Sequence, residues 1–262
     1  MNFKMKLPQP LKKKIVLLKQ KKYRDEYGEF VIEGFKIVEE AIKSNQPIEF
    51  IVLKESLSGD FKIGELLKKN KANIYFADEK DFKQISSLET PPGILVVLRH
   101  VRTSETLRQT QGKNVPFLIL DSIKDPGNLG TIIRTADWFG FENIVVGDDS
   151  VDVYNPKVLQ STMGSIFHIN FEQNKNTIEL IGKLKNDGYK IIATDLAGND
   201  KKPAFRDDKF AIVIGSESFG INKEILKMAD YKYKISGTGK AESLNAAVAT
   251  GIVLYEFSQK AR

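Results

Sequence analysis

Apolar residues recur along the chain with two alternating periods, and the alternation is broken once. Leu11, Ile15 and Leu18 fall at i, i+4 and i+7 among lysines, the spacing of a short helix with one apolar and one basic face; a solvated, frayed terminus is the alternative. Phe30 to Ile32 reads as a strand, and 34–44 as a helix with Phe35, Val38, Ala41 and Ile42 on one face. Strands expected at 50–53, 73–76 and 94–98 alternate with helices at 61–69 and 79–86. From 101 to 116 the period is lost in a polar stretch that ends at Pro116, which reads as a linker. Alternation then resumes, with strands expected at 117–120, 143–146, 167–170, 190–194, 210–214 and 231–235. Helices are expected between them at 129–139, 156–161, 177–186 and 223–228, and after the last strand at 244–258. The expected organisation is an α/β domain over 1–104, a linker over 105–116, and a mostly parallel α/β domain over 117–262. In such sheets ligands bind beyond the carboxyl ends of the strands, so the loops there are the place to look for chemistry.

Charge adds a partner to this picture. The 262 residues carry 40 bases and 34 acids, a net charge of +6. Nine of the bases and none of the acids lie within residues 1–24, so the remainder holds 31 bases against 34 acids. The basicity therefore belongs to one arm. Lys12, Lys13, Lys14, Lys21, Lys22 and Arg24 are its candidate contacts to a polyanion, most simply nucleic acid. With no cysteine, disulfides, thiolate catalysis and cysteine metal sites are excluded; with two histidines, no metal site is expected. No apolar run reaches the ~20 residues of a membrane helix, and the run Ile15 to Leu18 is too short for a signal peptide, so a cytoplasmic location is expected.

Three loops following expected strands carry polar residues suited to chemistry. In the first, Asp121 to Arg134, Pro126-Gly127 forces a turn, Asn128 falls where a helix N-cap belongs, and Arg134 follows on the second turn. An anion could dock there; a capped helix with a surface arginine is the plain alternative. In the second, Gly215 and Gly220 bracket Glu217, which could orient an arginine or a ligand hydroxyl, or could simply be solvated. The third runs from Ile235 through Gly237-Thr238-Gly239 to Glu242-Ser243-Leu244-Asn245 and a small-residue helix. It matches neither a dinucleotide fingerprint nor a P-loop.

Taken in order, the three segments resemble motifs 1, 2 and 3 of the SpoU (TrmH-like) branch of the SPOUT RNA methyltransferases, over about residues 117–258. Residues 30–41 are similar to the start of the small N-terminal α/β RNA-binding domain that many members carry. The resemblance implies a C-terminal SPOUT domain with a trefoil knot formed by the second and third loops. It implies S-adenosylmethionine as methyl donor, a ribose 2′-hydroxyl as acceptor, and a homodimer. By position, Asn128, Arg134, Glu217, Ser243 and Asn245 would be the catalytic group, and Thr194, Gly215, Ile235 and Leu244 the donor-binding group. Family members usually have proline where Ser236 stands and a serine where Ala247 stands. The family also inclines the target to ribosomal rather than transfer RNA. A catalytically inactive RNA-binding protein, a tRNA 2′-O-methyltransferase, a base methylase, a member conferring resistance to a ribosome-directed antibiotic and a nicotinamide-dependent oxidoreductase are the competing readings. The missing glycine fingerprint opposes the last.

Overall fold

The structure, a computed structural model, describes residues 5–68, 71–100, 115–174, 176–203, 209–216 and 219–258. It falls into two compact units: Met1–Val101 with Asp152–Phe167, and Arg102–Val151 with His168–Arg262. Most of the expected linker, 101–114, lies outside the described residues.

The first unit begins with β1 (Met5–Lys6), α1 (Gln9–Leu17) and α2 (Lys21–Tyr27). It continues through β2 (Glu29–Glu33), α3 (Phe35–Lys43), β3 (Ile48–Lys54), α4 (Phe61–Leu67), β4 (Asn73–Ala77), α5 (Glu79–Ile85) and β5 (Ile94–Arg99). Its sheet has the order β1-β4-β3-β5-β2; β1, β3 and β4 run parallel, and β5 is antiparallel to both neighbours. The expected amphipathic helix is α1, and its apolar face is core: Ile15 and Leu18 pack with Phe50, Val52, Phe82 and Leu95. Asp60 and Asp78 cap α4 and α5, accepting from the backbone N–H of Ile63 and Asp81. On α3, Val38 and Ala41 are buried as the period requires, but Phe35 at the first helical position stays exposed.

In the second unit the order is β6 (Phe117–Asp121), α6 (Pro126–Trp138), β7 (Asn143–Gly147), β8 (Asn170–Asn174), α8 (Thr177–Asn186), β9 (Lys190–Asn199), β10 (Phe210–Gly215), α9 (Lys223–Met228), β11 (Tyr231–Tyr233) and α10 (Ala246–Ser258). The helix α7 (Pro156–Thr162), between β7 and β8 in sequence, belongs to the first unit. The sheet order is β11-β9-β10-β6-β7-β8, with every pairing parallel. Such a sheet needs cover on both faces. Leu180, Ile181 and Leu184 of α8 and Ile225 of α9 pack on Phe117, Ile119, Ile191, Ala211 and Val213. The alternate residues Leu118, Leu120, Ile212 and Ile214 are buried too, and α10 packs against β10 and α6.

Three expectations need correction. The apolar run at 166–169 is not a strand: Gly164, at φ +105°, and a bond from Phe167 N–H to its carbonyl make a 3-10 turn there, and the strand starts at Asn170. β8 is an edge strand, so it can be polar, with Phe171 its buried anchor. The segment Asp152–Phe167, expected within the second domain, packs with the first. Tyr154 lies against the rings of Phe30 and His100 at 4.6 and 4.0 Å, and Gly164 abuts Glu40 of α3. Finally, Arg24 is no surface cation. It is 2% exposed, its Nε and Nη2 donate to Asp152 Oδ2 at 3.0 and 2.5 Å, and its Nη1 donates to the carbonyls of Leu18 and Lys19. A buried arginine needs such partners, which removes it from any RNA-facing set.

Candidate active site

The site is built at the carboxyl ends of the two central strands. β6 and β10 pair in register to their last residues, Asp121 opposite Gly215. Past Gly215 the chain folds back tightly: Ser216 and Gly220 exchange backbone hydrogen bonds of 3.2 and 2.9 Å. A Cβ placed on Gly215 would lie 2.3 Å from the Gly220 carbonyl carbon, so only glycine fits. Beyond the turn, Asn222 N–H donates to Asp121 Oδ2 at 2.7 Å, which ties the start of α9 back to the end of β6.

The first loop enters α6 through Asp125, not Asn128. Asp125 Oδ1 accepts from Asn128 N–H at 2.8 Å and Pro126 occupies the first helical position. That arrangement is the favoured helix start, since proline lacks the N–H that would go unpaired there. Asn128 is thereby moved one turn inward, and its side chain meets the third loop. Asn245 Nδ2 donates to Asn128 Oδ1 at 3.0 Å, while Asn245 Oδ1 accepts from Ala247 and Val248 N–H at 3.0 and 3.3 Å. One asparagine thus starts α10 and joins it to the first turn of α6. The two helices pack along their length, Gly251 of α10 leaving room beside Thr135 of α6.

Along α6, Leu129, Gly130, Ile132, Ile133 and Ala136 are buried. Thr131, Arg134 and Trp138 form the exposed stripe. Arg134 makes no ion pair with the described residues. Ser243 and Leu244 are exposed on the approach to α10, which begins at Ala246, two residues later than expected. Ile235 is half-buried just past β11. Thr194 sits on β9, which runs five residues further than expected to Asn199, and its Oγ1 donates to the Val213 carbonyl of β10 at 3.2 Å. Glu217 lies outside the described residues. Ser236, in the position where the family favours proline, donates its hydroxyl to Asp200 Oδ2 at 2.9 Å, a bond proline could not make. Among the described residues no group of three or more His, Asp or Glu could hold a metal ion, and no helix is long and apolar enough to cross a membrane.

Of the basic arm, Lys13, Lys21 and Lys22 are exposed. Lys12 is paired with Asp81 at 2.5 Å and Lys14 with Glu29 at 2.7 Å. Reading the sequence missed Asp121 and Asp125 as the residues that brace the loops. For Asp125 the signal was present, an Asp-Pro pair directly before the helical period.

Comparison with known proteins agrees with this geometry. Residues 116–255 match the SpoU rRNA Methylase family, and residues 10–96 match the MRM3-like substrate binding domain. The chain is 34% identical over 241 residues to the 23S rRNA (guanosine(2553)-2′-O)-methyltransferase RlmP of Bacillus subtilis, covering 91% of this chain and 92% of that one. The crystal structure of AdoMet-bound rRNA methyltransferase from Sinorhizobium meliloti superimposes with a TM-score of 0.84 at 30% identity, covering 96% of this chain and 95% of the other. The SpoU methyltransferase AviRb from Streptomyces viridochromogenes shares the fold, with a TM-score of 0.85 at 23% identity over 96% of this chain and 97% of its own. With loops, sheet order and two matched segments in agreement, the chain is a member of the SpoU rRNA methylase family.

Proposed function

We propose that this protein methylates a ribose 2′-hydroxyl of ribosomal RNA, with S-adenosylmethionine as the donor. The observation that carries the reading is the Asn245–Asn128 hydrogen bond of 3.0 Å, which joins the first and third loops; Arg134 is exposed further along the same helix, α6. The named activity of the Bacillus subtilis relative and the AdoMet-bound Sinorhizobium meliloti neighbour support it. Such a target places the work in the cytoplasm.

The residues suit the donor. Gly215 has no room for a Cβ against the Gly220 main chain, and the segment 236–245 is exposed. Main chain at Gly215, Ile235 and Leu244, with Thr194 on the adjoining strand, would hold it. S-adenosylmethionine supplies an electrophilic methyl group carried on a sulfonium. The chain's own part is placement, since attack by a weak hydroxyl nucleophile demands in-line alignment and help with its proton. Arg134 stays protonated, so it acts as a hydrogen-bond donor and a charge: it grips the adjacent phosphate and polarises the hydroxyl. Asn128 and Asn245 hold each other in place; Glu217 and Ser243 orient Arg134 and the substrate. The loops after β10 and β11 thread as the family's trefoil knot.

The protein works as a homodimer. Val248, Ile252 and Tyr255 recur at i, i+4 and i+7 on the outer face of α10, all exposed, and Trp138 of α6 is 83% exposed. Arg134 shares the α6 stripe with Trp138, so a second copy seated on this surface brings the dimer contact next to the site. The first unit captures RNA, using Lys13, Lys21 and Lys22.

The test is incubation with RNA and labelled S-adenosylmethionine, followed by mapping of alkali-resistant linkages. Label at a ribose in ribosomal RNA is expected; label on a base, or on transfer RNA alone, contradicts the proposal. Arg134→Ala is expected to abolish transfer, a loss of at least about a thousandfold, with donor affinity within about twofold of wild type. Wild-type turnover in that variant removes Arg134 from the mechanism.

A further inference from the structure

We propose that Phe219 is a stacking platform for an unpaired base of the RNA substrate, at the rim of the methyl-transfer site. This rests on the reading of the protein as an RNA methyltransferase.

Phe219 is 90% exposed, more than any other large apolar side chain among the described residues. Its position is nonetheless held. Its N–H donates to Ser216 Oγ at 3.2 Å, and its neighbour Gly220 exchanges backbone hydrogen bonds with the same Ser216. Asn222, three residues on, is fastened to Asp121. The ring is therefore exposed on a residue anchored to Ser216, at the carboxyl end of β10, the strand end that faces Asp121 of the first loop.

The surroundings favour a base over a protein surface. Phe219 makes no ring contact with the described residues, and Gly220, Asn222 and Lys223 beside it are exposed. A protein interface would offer a contiguous apolar patch. A ring followed along the chain by exposed Gly220, Asn222 and Lys223 fits one base, with Lys223 available to a phosphate. The chemistry calls for such a platform. Drawing the target nucleotide out of its stack frees its 2′-hydroxyl to align with a donor held in loops, and an aromatic face offsets the missing base–base stacking.

The test compares Phe219→Ala, Phe219→Leu and Phe219→Tyr on in vitro transcribed 23S ribosomal RNA. Methylation kinetics, RNA affinity by filter binding, S-adenosylmethionine affinity by calorimetry and mass by light scattering are measured. Alanine and leucine are expected to weaken RNA affinity and raise the KM for RNA about tenfold, the range of one base–aromatic stack, while tyrosine stays within about twofold of wild type. Donor affinity and mass should not change. The proposal is overturned if leucine serves as well as tyrosine, if alanine changes nothing, if donor affinity falls instead, or if the mass changes. RNA binding that depends on Phe219 without any methyl transfer by the wild type would sink the enzymatic reading and leave the platform standing.

Discussion

At the scale of single residues, much of the design lies in which partner each polar group finds. Tyr154 packs on Phe30 and His100, and burial, with Asp152 adding to it, pushes its phenol up to about 12. An unfolded tyrosine ionises near ~10. The neutral phenol is therefore favoured by the fold; its contribution to stability is complete below that value and is lost as pH rises from there through about 12. Tyr154→Phe keeps the ring stack and should flatten the fall in melting temperature between about pH 10 and 12; parallel falls in both proteins would rule this out. The same scale shows what could be read from sequence. Asn128, Arg134 and Asn245 were legible as a set because their spacing follows the family motifs. Arg24 was not, because the carboxylate that buries it, Asp152, is 128 residues away along the chain.

At the scale of elements, hydrophobic period located most strands and helices, though not β1 or α2, since burying one face or both is what the period records. It failed at 166–169, where an apolar run packs in a turn, and at the end of β9, where polar residues extend a strand that β11 pairs with. Backbone closeness is likewise invisible to pattern. The second loop depends on Gly215, where any Cβ would collide with the main chain of Gly220. Gly215→Ala should cost about 1–3 kcal/mol of stability and weaken S-adenosylmethionine binding at least about tenfold. Thermal melts and calorimetry check both, and unchanged donor affinity would remove this turn from the donor site.

At the scale of the whole molecule, charge and assembly make two predictions. Removing residues 1–24 would discard Ile15, Leu18 and Arg24 along with the charge, so the basic surface is better tested by Lys13, Lys21 and Lys22 changed together to serine. The triple variant should reduce the salt dependence of RNA binding, by up to roughly 0.7–0.9 in slope for each phosphate that is no longer neutralised. Donor affinity should hold; an unchanged slope would place the RNA elsewhere. Val248→Glu with Tyr255→Glu should halve the mass in solution, whereas a wild type that is already monomeric refutes the dimer. The discontinuous first unit sets an order of events during synthesis. The ribosome must deliver the chain through Phe167 before Arg24 meets Asp152 and Tyr154 reaches Phe30. A fragment cut within the polar stretch after β5 therefore carries an arginine with no counter-ion, and a gene split there should yield an aggregating first half.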